Sequence, residues 1–329
     1  MATLALAACT GAISPATVAG TPVTDDELAR ATAVFQGLSD AQQAPCGDAA
    51  DVRAADPPDA ACSRFTLGVM VQIRLAEAYA ATHDVMVSDA DVTDTTDRFT
   101  GSLGEGVLDS ALAANGATRK DLVAVVRGSL LLDAVARDLA LQEIGEDGLR
   151  QAYEDQLASY TIVQVDHILV ETEAEARDIY ERVTAPGFTE EDFLVLAKEV
   201  SIDPSAAENS GSLGSTTAST YVPEFADAAL ALEPGEISEP VKTEFGWHVI
   251  WMVDKEVTAF EGARDQLLAD SSGTSFFAYV GEREAAGDIE VDPSFGRFDP
   301  ETLTVVAIRS TDPQASTSPV PVNASPPAG

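Results

Sequence analysis

The chain holds only three histidines, His83, His167 and His248, and three cysteines, Cys9, Cys46 and Cys62, so acid–base, metal or thiol chemistry has few places to sit. His167 lies in an alternating run from Val163 to Leu169 and His248 in another from Trp247 to Val253. Taken alone, each reads as a core histidine whose ring nitrogens are satisfied by neighbours. Asp203 stands before Pro204 and alone reads as a turn or helix-end residue. Phe225 and Phe245 alone read as core. A metal site from His167, His248 and Asp203 is open on residue type. A hydrolase is disfavoured, because no serine lies in a nucleophile elbow or beside a base in a local motif.

The cysteines point to an oxidising compartment. Cys46 and Cys62 bracket a Pro/Ala/Asp-rich stretch, 47–61, that has no apolar period. A disulfide there would restrict the unfolded chain by about 3 kcal/mol, whereas two thiols without further ligands do not make a zinc site. Cys9 closes the run Leu6-Ala7-Ala8-Cys9, similar to the lipobox at which bacteria acylate a cysteine. Lipid attachment at Cys9 is therefore expected, although the residues before it lack the basic, longer leader of a secretory signal.

With 329 residues, two packed units plus tails are expected. The 19 Lys and Arg against 55 Asp and Glu leave a formal charge of −36, which repels nucleic acid and anionic headgroups. No later segment approaches about 20 unbroken apolar residues, so no spanning helix is expected. Residues 24–155 read as successive helices. Thr24 and Glu27 have capping-box spacing, and Leu122, Val125, Val126, Leu132, Ala136 and Leu139 make a long apolar stripe. Between 161 and 256 strand and helix mix. A strand carries His167, helices open at Thr172 and Thr189, a Ser/Thr/Gly-rich loop spans 204–220, a short helix runs from Pro223 to Leu232, and a last strand carries His248. Residues 258–286 are helical again, and the Ser/Thr/Pro tail 309–329 is expected to be disordered.

The order of signals from His167 to Val253 resembles the parvulin family of peptidyl-prolyl cis/trans isomerases. The resemblance rests on His167-Ile168-Leu169-Val170, Ser201-Ile202-Asp203-Pro204, Gly211-Ser212-Leu213-Gly214, Val222-Pro223-Glu224-Phe225, Leu232-Glu233-Pro234-Gly235 and Thr243-Glu244-Phe245-Gly246-Trp247-His248. Helices before this unit and after it resemble the PrsA and SurA class of extracytoplasmic foldases, and Ala19 to Thr24 is similar to the first strand and turn of their chaperone lobe. The fold this implies is α+β: a parvulin domain with a small antiparallel sheet of about four strands flanked by helices, plus a mostly helical chaperone-like lobe. Its expected layout is an export segment at 1–22, a helical domain at 23–158, the parvulin domain at 159–256, a C-terminal segment at 257–308 on the helical lobe, and the tail.

Carried over position by position, the resemblance implies a histidine pair at His167 and His248, their hydroxyl partner at Thr243, and the central carboxylate at Asp203. It implies a proline pocket of Tyr221, Phe225 and Phe245. Tyr221 replaces the usual Met or Leu, and Ser212 stands where Asp is common. The acidic run 171–176 replaces the basic loop of phospho-specific members. No cofactor and no metal are implied. The expected partners are unfolded or partly folded exported proteins with X-Pro bonds, with no nucleic acid and with membrane contact only through a lipid anchor. The expected location is extracytoplasmic. The alternative within the same resemblance is a holdase that uses a weakly catalytic parvulin domain to bind clients.

Overall fold

The computed structural model describes residues 14–48, 53, 56–104 and 106–308. Cys9 and the tail 309–329 lie outside these residues. In chain order the elements begin with β1 (Ala16–Val18), β2 (Thr21–Val23), α1 (Asp25–Gln42), α2 (Ala60–His83), α3 (Asp89–Leu103), α4 (Val107–Ala114) and α5 (Arg119–Asp155). They continue through β3 (Thr161–Val170), α6 (Glu173–Val183), α7 (Glu190–Val200), α8 (Pro204–Asn209), β4 (Ser212–Thr217), α9 (Pro223–Leu230), β5 (Val241–Thr243) and β6 (Gly246–Val257). The last are α10 (Phe260–Ala285), β7 (Ile289–Val291), β8 (Arg297–Asp299) and β9 (Thr304–Val306). The chain divides into two compact units, one of Met1–Glu143 with Ser271–Gly329, the other of Ile144–Asp270.

In the first unit, Thr24 accepts from the Glu27 amide while Glu27 reaches back to Thr24, a complete capping box that starts α1. β1 pairs with β2 on one side and with β7 on the other, so the N-terminal hairpin is closed by a strand from the far end of the chain. Val18, Val23, Leu67, Val71, Leu75, Phe276, Val280 and Val305 share one apolar core beneath it. Cys46 and Cys62 are joined as a disulfide across 16 residues.

The second unit is built on a four-stranded antiparallel sheet of order β4-β3-β6-β5. One face packs Ile168, Val170 and Val249 against Ala176, Ile179 and Val183 of α6 and Phe193, Leu196 and Ala197 of α7. The other packs Val163, Val165, Ile250 and Met252 against Phe225 and Ala229. The central strand β3 is consequently buried on both faces, not only on the one that holds His167. α6 and α7 both open with complete capping boxes, at Thr172 with Glu175 and at Thr189 with Asp192. The stretch expected as a loop from Pro204 to Thr220 is instead α8 followed by the edge strand β4. Asp203 and Pro204 supply an N-cap and a first helical position. β4 has no apolar alternation because its ladder with β3, rather than burial, creates it.

Candidate active site

The strand register decides whether the two histidines can meet. His167 of β3 lies opposite Ile250 of β6, and Leu169 lies opposite His248. Residues 167, 169, 248 and 250 therefore share one face, with the histidines diagonal to each other. Their rings stack at 22° with centroids 5.3 Å apart, and the Nδ1 atoms approach to 3.1 Å. β5 turns into β6 through Glu244 and Phe245, with Thr243 opposite Gly246. That tight turn places Thr243 Oγ1 2.8 Å from His248 Nε2. The Phe245 N–H donates to the same hydroxyl at 3.1 Å.

At the other end, Asp203 caps α8 by accepting from the Ser205 N–H at 2.8 Å. Its Oδ1 stands 3.4 Å from His167 Nε2, and Ser205 Oγ stands 3.3 Å from the same nitrogen. Thr243, His248, His167 and Asp203 thus form one line. Ser205 joins it, and sequence reasoning passed it over because a serine after Asp-Pro reads as an ordinary first-turn helix residue.

Burial and protonation settle the direction of that line. His167 and His248 are 3% and 4% exposed. Burial depresses the His167 imidazole, with Asp203 opposing it. Burial and the neighbouring His167 push His248 down to about 4. For Asp203, partial burial works to raise the carboxyl, but the Ser205 hydrogen bonds and His167 outweigh it and hold the group below its ordinary value. Asp203 is then an anion that only accepts. Its charge favours the hydrogen of His167 on Nε2, which leaves Nδ1 as acceptor. His248 must then donate from Nδ1 and accept at Nε2 from the Thr243 hydroxyl. With its Nε2 protonated, His167 is no base toward Ser205, so the Ser–His proximity does not make a hydrolytic pair. The same assignment engages all four ring nitrogens in hydrogen bonds.

A pH dependence follows. The unfolded chain protonates these imidazoles below about 6.5, whereas folded His248 resists until about 4. A group depressed on folding stabilises the native state above its unfolded value and loses that contribution on acidification. Unfolding free energy, followed by urea titration, is expected to fall as pH drops from about 6.5 to about 4, and to fall less steeply in His248→Gln.

The apolar residues gather beside the imidazoles. Phe225, 3% exposed, presents its ring to His167 at 5.8 Å and to His248 at 5.3 Å, both edge to face. Tyr221 lies 4.7 Å from Phe225, and Leu213 packs against the same cluster. Phe245 is held by its backbone to Thr243, while its ring is 61% exposed. Two of the three rings named from the resemblance thus pack beside the histidines, and the third is exposed. The Tyr221 hydroxyl is buried without a hydrogen-bond partner among the described residues.

The family model of the PPIC-type PPIase domain, a rotamase, matches residues 164–254. A foldase protein PrsA of Clostridium tetani is 35% identical over 163 residues, covering 47% of this chain and 47% of that protein. A foldase protein PrsA of Halalkalibacterium halodurans is 32% identical over 203 residues, covering 59% of this chain and 60% of that one. The chain spans about half to three-fifths of the length of these relatives. A crystal structure of a peptidylprolyl isomerase (PrsA) from Bacillus cereus is 27% identical, with a TM-score of 0.37, over 65% of this chain and 76% of that chain. The matched segment contains the whole line from Asp203 to Thr243 together with Tyr221, Phe225 and Phe245; residues 164–254 are a PPIC-type parvulin domain.

Proposed function

We propose that this chain is a peptidyl-prolyl cis/trans isomerase that assists the folding of exported proteins, acting on X-Pro bonds of partly folded, unphosphorylated clients outside the cytoplasm, with Cys9 as its lipid anchor. The observation that carries the reading is the juxtaposition of an aromatic pair, buried Phe225 and half-buried Tyr221, with a line of neutral imidazoles that ends in an ionised carboxylate. Rotation about an X-Pro bond crosses a barrier of about 20 kcal/mol set by amide resonance. The twisted amide has less charge separation than the planar one. An apolar seat at Tyr221, Phe225 and Phe245 favours it, and Asp203 beside the substrate carbonyl opposes negative charge on that oxygen. His167, backed by His248 and Thr243, holds Asp203 in place, and the Ser205 hydrogen bonds together with His167 keep it ionised. No nucleophile is needed. A ten-thousandfold acceleration asks for about 5.5 kcal/mol of differential stabilisation. The exposed Glu171, Glu173 and Glu175 support unphosphorylated rather than phosphorylated substrates.

The test is a protease-coupled isomerisation assay on X-Pro peptides. Asp203→Ala is expected to lose about a hundredfold in kcat/KM, near 2.7 kcal/mol of transition-state stabilisation. Full activity in that variant would remove the carboxylate from the mechanism.

One observation favours a second reading, client holding. The first unit carries a cleft of about 1080 Å³ lined by Phe35, Leu38, Phe65 and Val305, among others, with Phe65 39% exposed. Suppression of aggregation that persists in Asp203→Ala would show that holding is separable from turnover.

A further inference from the structure

Asp166 is a buried carboxyl that the proposed mechanism does not use. It sits on β3 next to His167, pointing to the opposite face of the sheet, and is 2% exposed. Its ladder partners are Ser212 on β4 and Trp251 on β6. The pairing of β3 with β4 is irregular between Gln164 and Asp166, and Asp166 with Ser212 is the last pair of that ladder. One position on, the His167 N–H donates to the Gly211 carbonyl at 2.8 Å. The Asp166 carboxyl interacts with the Ser212 side chain, while its Oδ2 is buried with no partner among the described residues.

Among the described residues, no ion pair compensates it. α7 turns Phe193, Leu196 and Ala197 inward, and Phe193 packs on Trp251 at 5.6 Å. The charged side chains of α6 and α7, from Glu173 to Arg182 and from Glu190 to Glu199, are all exposed, as is Glu208 of α8. β4 contributes no charge, and His167 is a titratable group that acts on the Asp166 carboxyl. A carboxylate with one buried oxygen unpaired is costly in such a site, whereas the neutral acid is tolerated.

We infer that Asp166 is a positioning residue whose ionisation controls how firmly β4 is held beside His167, so that the neutral acid keeps the ladder closed and the carboxylate loosens it. Burial pushes its carboxyl above the ordinary value, with Ser212 and His167 only partly opposing this. The native contribution is therefore present in acid and lost as pH rises. Ionisation draws the side chain toward water at the register irregularity. The bond most directly affected is the one from His167 to Gly211, and through it the setting of the His167 ring.

The part concerning catalysis rests on the isomerase reading; the part concerning the ladder does not, and the experiment separates them. Amide hydrogen exchange at His167 in the full chain, corrected for the intrinsic rate, would be followed across pH in wild type and in Asp166→Asn, which preserves shape but cannot ionise. Wild-type protection is expected to drop by roughly tenfold as pH rises through the range in which the Asp166 carboxyl ionises, above that of an ordinary carboxylate, with Asp166→Asn flat. kcat/KM for an X-Pro peptide should follow the same two profiles. Identical exchange profiles in the two proteins would overturn the inference. Absence of turnover in both would overturn the isomerase reading while leaving the exchange comparison decisive for Asp166. Should Asp166→Asn fail to fold, Asp166→Thr, which suits a strand and offers Ser212 a hydroxyl, carries the same comparison.

Discussion

Phe225→Ala is expected to reduce kcat/KM for X-Pro peptides by a hundredfold or more, about 2.7 kcal/mol, and to lower unfolding free energy by about 3–5 kcal/mol. Both effects come from one ring. Phe225 belongs to the core between the sheet and α9, and the same ring faces both imidazoles and Tyr221. Removing it leaves a cavity beside the line of imidazoles and lets water reach groups whose neutrality depends on burial. The two losses can be told apart with Phe225→Leu. Leucine refills most of the volume and should recover most of the stability, but it offers no flat edge to the imidazoles, so activity should recover only in part. Equilibrium denaturation and peptide kinetics on the two variants check this. Retained activity in Phe225→Ala would place the proline seat elsewhere.

Gly211→Ala is expected to be comparably damaging although it adds a single methyl group. Gly211 has φ of 85°, which is unfavourable for any residue with a Cβ by about 1–2 kcal/mol. A Cβ there would stand 2.6 Å from the His167 carbonyl oxygen and 2.7 Å from Ala197 Cβ. The first of these is backbone of the central strand and cannot turn away, so overpacking adds about 1–3 kcal/mol. Relief comes only by pushing β4 or α7 off β3, which displaces the carbonyl that holds the His167 amide. A loss of about 2–5 kcal/mol in stability and of most activity follows. Gly214→Ala is the control. Its φ of 69° is also positive but open space surrounds it, so it should cost only the backbone part and leave turnover nearly intact.

How much of this was legible in the sequence depended on whether a feature was local. The helix starts at Thr24, Thr172 and Thr189 were readable because a capping box is four consecutive residues with a fixed chemistry. The strands carrying His167 and His248 were readable from their alternation. Their pairing in a register that sets both imidazoles on one face was not, since register is decided by contacts 81 residues apart. Only the order of separated motifs suggested it. β4 escaped because an edge strand of Ser, Leu, Gly and Thr has no hydrophobic period. β5 escaped because three residues are too few to show one. Ser205 was overlooked for want of any local signal beyond its helix position. Tyr221 and Phe225 were named together from the resemblance and do pack together, whereas the exposure of the Phe245 ring reflects a hairpin tip that only the folded sheet defines.

The most direct measurement is two-dimensional exchange spectroscopy on an Ala-Pro peptide mixed with a catalytic amount of the chain. The uncatalysed interchange takes tens of seconds, far too slow to give cross-peaks between the cis and trans forms on the mixing times used. Such cross-peaks are expected to emerge with the wild-type chain and to fade in Asp203→Ala. Their absence with folded wild-type protein would contradict the isomerase reading, because the imidazoles, the carboxylate and the aromatic seat would then be assembled without turning over the bond they surround.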